Sequence, residues 1–234
     1  MVYVQKVLDQ MSPCVVIPVY NEGMAIAALV RQIRQQGLAV IVVDDGSSDG
    51  TSRLARDSGA TVLANATNRG KGASLIQGFR YALAQGFDAV VTIDGDGQHD
   101  PEDIPAFLNL ARASGEVIFI GNRMRQLKNM PWLRRTTNKF MSWLISQIAG
   151  QKISDTQCGF RLFKKELLAG LRLKTSKYET ESEILIRAAR LGFRIVSVPI
   201  KTIYRGEKSQ INPLLDTWRF LKLVAQESLW IRPS

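Results

Sequence analysis

Short apolar runs alternate with helical patterns through the first half of the chain. Five runs predict strands, over Val15–Val19, Ala39–Val43, Thr61–Leu63, Asp88–Ile93 and Val117–Ile120. Helical spacing predicts intervening helices, from about Glu22 to Gln36, through Ala55, over Ala73–Gln85 and from Pro101. Strand, helix and strand at this spacing are typical of right-handed crossovers. The pattern therefore predicts an α/β fold with a mostly parallel central sheet flanked by helices.

The second half of the chain is patterned differently. Pro131–Ala149 predicts a basic amphipathic helix, whose apolar stripe consists of Leu133, Phe140, Met141, Leu144, Ile145 and Ile148. Further on, the pattern predicts a polar loop and strand over Ser154–Phe163, a helix over Glu181–Leu191, strand pairs over Phe193–Tyr204 and an amphipathic helix over Asn212–Trp230. No linker, repeat or low-complexity stretch interrupts the sequence, so we predict one domain over residues 1–234.

Composition narrows the class of protein. A chain of 234 residues that is 45% apolar can bury a substantial core, which excludes a disordered, collagenous or coiled-coil protein. No apolar run approaches the roughly 18–20 residues that span a bilayer, and Met1–Met11 lacks signal-peptide features. The two cysteines have neither disulfide-framework nor zinc spacing, so we expect a cytoplasmic protein.

The net charge of +10 is unevenly distributed along the sequence. Residues 1–117 carry 9 basic and 13 acidic side chains, whereas residues 118–234 carry 22 basic and 8 acidic ones. The basic half could meet nucleic acid, a phosphorylated ligand or a membrane surface, or it could be a solubilising face. Because no basic helix with interleaved stacking aromatics, zinc finger or RNP-type motif is present, we expect no nucleic-acid partner.

Polar side chains cluster where the predicted strands end, at the edge where parallel sheets bind ligands. They form four groups, residues 20–22, 44–47, 94–96 and 121–123. Neither a G-x-G-x-x-G fingerprint nor a P-loop accompanies them. Tyr20 could stack a base, and Asp44 or Asp45 could accept from a base or ribose hydroxyl. Basic candidates for a diphosphate are Arg69, Lys71, Arg123 and Arg205.

The pair Asp94 and Asp96 is the strongest chemical signal. Two such carboxylates repel each other unless a cation lies between them, and Mg²⁺ or Mn²⁺ prefers oxygen ligands. Gly95 lets a phosphate approach the backbone, and Gln98 and His99 add polar groups. An isolated D-x-D is more often a solvated turn. Here, however, the pair occurs together with the other polar groups at the ends of the predicted strands. Together they predict a nucleotide-diphosphate site with a divalent metal.

Four motifs, at residues 16–22, 42–51, 68–72 and 94–99, resemble those of glycosyltransferase family 2. Residues 155–161 and 204–209 are similar to the dolichol-phosphate mannose synthase and polyprenyl-phosphate glycosyltransferase branch, and the Q-x-x-R-W motif of processive synthases is absent. The resemblance implies a GT-A (Rossmann-like) fold and an inverting transfer of a mannose- or glucose-type hexose. The donor would be GDP-mannose or a UDP-glucose-type sugar, and the acceptor a polyprenyl (dolichyl-type) phosphate.

The resemblance also assigns site residues. Those implied for the nucleoside are Pro18, Tyr20, Glu22, Val43 and Asp45. Asp94 and Asp96 would face diphosphate and metal, with Asp96 and Gln98 as direct ligands. Arg123, Arg205 and Lys208 would meet phosphates. The sugar and acceptor pocket would include Asp155, Gln157, Gly159, Phe160 and Glu181, and the resemblance does not say whether Glu179, Glu181 or Glu183 takes the place of the glutamate. Residues 13–121 would thus bind the donor, and residues 122–234 the acceptor and the membrane.

Other functions stay open on the sequence alone. A phosphate acceptor is already anionic and needs no general base, whereas a hydroxyl acceptor in cell-envelope glycan or glycolipid synthesis would need one, with Glu179 or Glu181 as the candidate. An inactive lipid-associated scaffold is disfavoured by the intact Asp94 and Asp96.

Contact with the membrane is expected to be peripheral. Many relatives carry C-terminal transmembrane helices, whereas this sequence has no such run, and a small membrane-anchoring partner could assist. No acidic residue lies between Glu116 and Asp155, and the expected membrane-facing residues are Trp132, Arg134, Arg135 and Trp143. Alternatively, the apolar stripe of this segment packs on the sheet as core.

Overall fold

The computed structural model describes residues 11–123, 132–201, 219–220 and 222–225, with the backbone alone for residues 132–134. Its strands are β1 (Pro13–Val19), β2 (Ala39–Asp44), β3 (Thr61–Ala64), β4 (Ala89–Thr92), β5 (Ile118–Asn122), β6 (Arg161–Lys164) and β7 (Ile195–Pro199). Its helices are α1 (Gly23–Gln35), α2 (Thr51–Asp57), α3 (Lys71–Ala84), α4 (Ile104–Ala113), α5 (Trp132–Ala149), α6 (Lys165–Gly170) and α7 (Thr180–Arg190), and a 3₁₀ turn covers Pro101–Asp103.

The seven strands form one sheet in the order β3-β2-β1-β4-β6-β5-β7. All neighbours are parallel except β6, which runs antiparallel to β4 and β5. Because β6 runs in reverse, its first residue, Arg161, pairs with Thr92 at the carboxyl end of β4. The segment that precedes β6 is therefore brought to the edge where β1, β2 and β4 end.

The core is built on the central strands, as the apolar runs predict. Val15, Val16 and Ile17 of β1 are fully buried, and α1 buries the face formed by Ile26, Leu29, Val30 and Ile33. Helix α3 approaches the sheet through Gly78, where a Cβ would lie 3.2 Å from Val43 Cγ2. Each large aliphatic side chain buried in this way contributes about 1.5–3 kcal/mol to the free energy of unfolding.

One expectation for the second half needs revision, and another agrees with the structure where it is described. The predicted strand pairs over Phe193–Tyr204 are wrong for the described part, because β7 is a single strand that pairs in parallel with β5. Residues 202–204 lie outside the described residues. Within the predicted helix Asn212–Trp230, the described residues are helical, and Phe220 and Leu223 are buried in the core. In the described part of the chain, no helix is long and apolar enough to cross a bilayer.

Candidate active site at the carboxyl edge of the sheet

The loops that follow β1 and β2 brace each other. Asn21, at a positive φ of 55°, donates its backbone N–H to Ser47 Oγ (2.8 Å) and accepts from the Ser48 N–H through Oδ1 (2.9 Å). Asp49 Oδ2 accepts from the Gly23 N–H at 2.9 Å, at the first residue of α1. The sequence singled out these loops but not the pairing between them, since turn-forming residues give no signal for a partner 26 positions away.

Asp45 organises the loop that follows β3. Its side chain is buried and accepts from Asn65 Nδ2 (3.0 Å) and from the backbone N–H groups of Arg69 (2.9 Å) and Gly70 (2.6 Å). Asp44 beside it accepts from the Ser47 N–H at 2.9 Å. Since the Asp45 carboxylate has three protein donors, its structural role is to shape this loop. The nucleoside contact that the sequence suggested for it stays a prediction.

The other residues assigned to the nucleoside differ in exposure. Pro18 and Val43 are buried inside β1 and β2, so their side chains belong to the core. Tyr20 is 37% exposed at the end of β1, and Glu22 is half-buried before α1. Of these four, Tyr20 has the exposed aromatic face that stacking on a base would require.

Asp94 lies in a cluster of charged side chains. Lys71 Nζ is 2.7 Å from Asp94 Oδ1 and 2.9 Å from Glu181 Oε2, and His99 Nε2 is 3.6 Å from Asp94 Oδ2. Gly159 backs the carboxylate closely, because a Cβ there would lie 2.5 Å from both Asp94 oxygens. Lys71, which the sequence suggested as a diphosphate contact, is thus a bridge between two carboxylates.

The charged cluster shifts the pKa values of Asp94 and Asp96 in opposite directions. Burial opposes ionisation of Asp94, but the charge of Lys71 and the contact with His99 hold its pKa well below the usual range. Burial likewise disfavours the Lys71 ammonium, yet Asp94 and Glu181 raise its pKa above the usual value. Burial and the nearby charge of Asp94 raise the pKa of Asp96. Asp96 is therefore the carboxylate that an additional cation would stabilise most.

The residues that follow β4 suit a hard divalent cation. Asp96 is half-buried and accepts from the Gln98 N–H at 2.9 Å, so the backbone folds Gln98 back towards this carboxylate. Carboxylate and amide oxygens are ligands that Mg²⁺ and Mn²⁺ accept. No group of three or more His, Cys, Asp or Glu side chains within the described ranges is arranged to hold a metal. A cation here would take few protein ligands and complete its shell with water and ligand phosphates.

The glycine-rich stretch Asn68–Gly72 serves packing between the two halves of the chain. At Gly70, which has a φ of 102°, a Cβ would lie 2.7 Å from Ser176 O, and at Gly72 it would lie 2.6 Å from Lys177 O. The Ala73 N–H donates to Ser176 O at 2.9 Å. The glycines let Ser176, Lys177 and Thr180 lie directly on the start of α3. Lys71 is consequently directed inward, towards Asp94 and Glu181.

The segment that precedes β6 is held by two arginines. Arg123 Nε and Nη2 donate to Asp155 Oδ2 (2.8 Å) and Oδ1 (2.9 Å), and the Asp155 side chain is fully buried. Arg161, also buried, donates to the backbone oxygens of Cys158 (2.7 Å), Glu181 (2.7 Å) and Thr156 (2.9 Å). The two guanidinium groups thereby fix residues 155–158, the segment directly before β6.

The residues that the sequence assigned to a sugar and acceptor pocket, 155–160, differ in burial. Asp155 is a buried partner of Arg123, and Phe160 is buried and stacks on Phe107 with ring centroids 4.6 Å apart. Their assignment to a pocket stays a prediction. Gln157 is half-buried, and Gly159 lies against Asp94. Arg205 and Lys208 lie outside the described residues, as do the side chains of Trp132 and Arg134.

The predicted apolar stripe of α5 is partly buried in the core and partly exposed. Ile145 is fully buried, and Met141, Leu144 and Ile148 pack against the core. Phe140 and Trp143, by contrast, are each 56% exposed, with ring centroids 6.1 Å apart. Arg135 and Lys139 are exposed on the same helix.

Comparison with known proteins agrees with this architecture. A glucosyl-3-phosphoglycerate synthase from Mycobacterium tuberculosis, solved with Mn²⁺, UDP and phosphoglyceric acid, superposes with a TM-score of 0.73 at 24% identity and covers 99% of this chain and 83% of that one. The fold is accordingly the GT-A fold of glycosyltransferases, as the sequence predicted. The family model "Glycosyl transferase family 2" matches residues 14–172, and the chain belongs to that family.

Two curated relatives cover most of the chain. A UDP-N-acetylglucosamine–dolichyl-phosphate N-acetylglucosaminyltransferase from Methanococcus voltae is 32% identical over 212 residues, covering 81% of this chain and 84% of the relative. An undecaprenyl-phosphate mannosyltransferase from Micrococcus luteus is 33% identical over 204 residues, covering 81% and 83% respectively. Both names describe transfer to a polyprenyl-type phosphate.

Proposed function

We propose that this glycosyltransferase moves a sugar from a nucleotide-diphosphate sugar to a polyprenyl phosphate at the cytoplasmic face of a membrane. The similarity to relatives named for dolichyl and undecaprenyl phosphate supports this acceptor class. The observation that carries the proposal is the pair Asp94 and Asp96 at the carboxyl end of β4, with Gln98 folded beside it. Mannose- and glucose-type hexoses on GDP or UDP are the donors that we propose to test first.

We infer that a divalent cation, Mg²⁺ or Mn²⁺, acts at this site, held by Asp96 and Gln98. Such a cation supplies charge neutralisation to a departing nucleoside diphosphate. The chain itself contributes orientation, because Lys71 holds the Asp94 carboxylate and Arg161 holds the backbone at Thr156 and Cys158, next to the Gly159 that lies against it. Arg123, Arg205 and Lys208 remain our candidates for the phosphate groups of donor or acceptor.

The chemistry of the acceptor favours a phosphate. A phosphate monoester carries about −1.5 to −2 charge at neutral pH, so it attacks the sugar without a general base. Glu181, one of the candidate bases, accepts from Lys71 at 2.9 Å and lies 3.7 Å from Arg161 Nη2. Glu181 is thus already engaged by two cationic side chains, which leaves it poorly placed to approach an acceptor hydroxyl.

One observation favours the alternative, a hydroxyl acceptor. Glu179 has a buried carboxylate oxygen, Oε2, without a hydrogen-bond partner among the described residues. Such an oxygen is available to take a proton from a sugar or lipid hydroxyl. Glu179 is therefore the general base that the alternative function would use.

The two functions predict different acceptor profiles. With radiolabelled GDP-mannose or UDP-glucose and Mn²⁺, we expect sugar transfer to polyprenyl phosphate to exceed transfer to the unphosphorylated polyprenol at least a hundredfold, because only the former is nucleophilic without a base. Glu179→Gln should then retain most activity. The hydroxyl acceptor would be supported instead if the wild type transferred sugar to the unphosphorylated polyprenol and Glu179→Gln lost this activity.

We propose that α5 contacts the membrane through an exposed surface formed by Arg135, Lys139, Phe140 and Trp143. An open groove of about 730 Å³ adjoins this surface, and it is lined in part by Lys139, Trp143 and Lys152. Aromatic rings and basic side chains together suit the interface of an anionic bilayer. This surface would let a GT-A domain reach a lipid-borne acceptor.

Membrane binding should depend on the exposed aromatics of α5. We expect Phe140→Ala/Trp143→Ala to bind vesicles of phosphatidylglycerol and phosphatidylcholine at least tenfold more weakly in cosedimentation, since both rings lose interfacial contact. The charge-reversing double variant Arg134→Glu/Arg135→Glu should weaken binding by a similar factor. Each basic side chain near an anionic membrane surface contributes roughly 1 kcal/mol to the binding free energy. Leu110→Ala, at an exposed apolar position on α4, is the matched control. Unchanged binding in both double variants would exclude α5 as the docking surface.

A further inference from the structure

The Lys71 bridge has a consequence for the placement of the cation. Three acidic side chains, Asp94, Asp96 and Glu181, belong to this part of the site, and Lys71 Nζ contacts two of them, at 2.7 and 2.9 Å. The hydrogen bond that the structure gives to the Asp96 carboxylate comes from the Gln98 N–H. The ammonium therefore pairs with two of the acidic side chains, Asp94 and Glu181, and leaves Asp96 without an ion pair in the described part of the chain.

Both oxygens of Asp94 are already engaged. Lys71 approaches Oδ1 while His99 Nε2 lies 3.6 Å from Oδ2, and Gly159 closes a further side of the carboxylate. Without the ammonium, two aspartates separated by one residue would offer a dication a chelating pair. With the ammonium in place, a cation that moved onto Asp94 would lie beside a positive charge.

Lys71 is held in this position by the second half of the chain. Gly70 and Gly72 on either side of it pack against residues 176–177, and its second partner, Glu181, lies in α7. Arg161 Nη1 donates to Glu181 O at 2.7 Å and so fixes the start of that helix. The ammonium thus couples the strand end that carries Asp94 to the part of the chain assigned to the acceptor.

We propose that Lys71 is a positioning residue whose ammonium occupies Asp94, so that a divalent cation is confined to Asp96 and Gln98. The proposal rests on the cation site of the proposed function. It goes beyond that site, because it assigns Asp94 to the ion pair and gives a lysine control over where the cation binds. Lys71 neither contacts the reacting atoms nor transfers a proton in this role.

The test is the affinity for Mn²⁺, measured by electron paramagnetic resonance on the purified protein with Mn²⁺ alone and with Mn²⁺ plus GDP or UDP. In Lys71→Met we expect the half-saturating Mn²⁺ concentration to fall roughly tenfold, because removing a like charge near a dication has an effect of that order even in a water-like dielectric. Sugar transfer should nevertheless fall at least tenfold in kcat, since the cation can now move to Asp94. Tighter Mn²⁺ binding combined with slower transfer is a result that mere loss of structure does not produce.

Three variants isolate the charge. Lys71→Arg keeps it, so Mn²⁺ affinity should stay within threefold of the wild type. Glu181→Gln leaves the ammonium on Asp94 and removes a negative charge, so Mn²⁺ should bind more weakly. This change in Mn²⁺ affinity is opposite to the one expected for Lys71→Met. Lys165→Met removes an exposed cation at the opposite edge of the sheet, where the Lys165 N–H donates to Asp88 O at 2.8 Å, and should change neither measurement.

The outcomes separate this proposal from the proposed function. Unchanged or weaker Mn²⁺ binding in a folded Lys71→Met, with Mn²⁺ binding intact in the wild type, would overturn the role of Lys71 alone. If Lys71→Met fails to fold, a Glu181→Gln variant that binds Mn²⁺ more tightly would overturn it equally. Absence of Mn²⁺ binding in wild type and variants alike would overturn the cation site and the role of Lys71 together.

Discussion

Asp96→Asn is expected to lower sugar transfer about a thousandfold, equivalent to about 4 kcal/mol in activation free energy. Asp96 is the carboxylate whose pKa is raised by burial and by the charge of Asp94, and Asp94 itself is paired with Lys71. An amide at position 96 keeps the shape but removes the charge that would hold the cation. The loss should therefore appear in kcat and in the response to Mg²⁺ or Mn²⁺.

The fold should tolerate this change. An acid whose pKa is raised in the folded state binds protons more tightly there than in the unfolded chain, so its contribution favours folding at low pH and is lost as the pH rises. At neutral pH the ionised Asp96 thus opposes folding, and Asp96→Asn should match or exceed the wild-type melting temperature.

A matched control lies at the opposite end of β4, just before the strand begins. Asp88→Asn changes a carboxylate at the amino end of β4, where Asp88 Oδ1 accepts from the Ser12 N–H at 2.8 Å. Transfer in Asp88→Asn should stay within about threefold of the wild type. An Asp96→Asn variant that folds and transfers sugar at the wild-type rate, under limiting metal, would remove Asp96 from the cation site.

The strands and α1 could be predicted because their signals are local. Val15–Val19 and Ala39–Val43 lie within β1 and β2, whose apolar residues are buried almost without interruption. The direction of β6 could not be predicted in this way. Four residues at Arg161–Lys164 give no periodicity, and their antiparallel pairing depends on the chain returning from α5 to the carboxyl edge.

The sequence could predict where several site residues lie at the carboxyl edge of the sheet, but it could predict their contacts only in part. The sequence located Asp94, Asp96 and Gln98, since they directly follow an apolar strand. It could not predict the contact of Lys71 with Glu181, because nothing near Lys71 in the sequence indicates a partner 110 residues away in α7. The stacking of Phe160 on Phe107 likewise depends on the long-range pairing of β6. The diphosphate role suggested for Lys71 and the pocket role suggested for Phe160 stay predictions.

The uneven charge of the chain acquires a more specific interpretation from α5. Arg135 and Lys139 are exposed beside two exposed aromatic rings, whereas Arg123 and Arg161 are buried in structural contacts. Basic residues in the second half therefore serve at least two purposes, and net charge alone does not separate them. Burial does, because a buried guanidinium needs carboxylate or carbonyl partners that an exposed one does not.

Asp155→Asn is expected to lower the free energy of unfolding by about 3–5 kcal/mol, because it leaves the buried guanidinium of Arg123 without a counter-charge. For a domain of this size, about 3 kcal/mol corresponds to a fall of roughly 6–12 °C in melting temperature. Urea titration and calorimetry measure both quantities. A melting temperature within 2 °C of the wild type would show that the ion pair contributes little to stability.

A double substitution separates the stability of this pair from its function. Arg123→Met should destabilise the fold by a similar amount, since it leaves the carboxyl group of Asp155 buried without its partner, whereas Arg123→Met/Asp155→Leu should cost much less than the sum of the two single variants. If Arg123 only supports the fold, the double variant recovers transfer along with its melting temperature. If Arg123 also meets a phosphate of the donor or acceptor, stability returns but transfer stays at least tenfold below the wild type. Since the guanidinium donates to Asp155 through Nε and Nη2 while Asp155 is fully buried, such a phosphate would be met by a cation that the fold already holds in place.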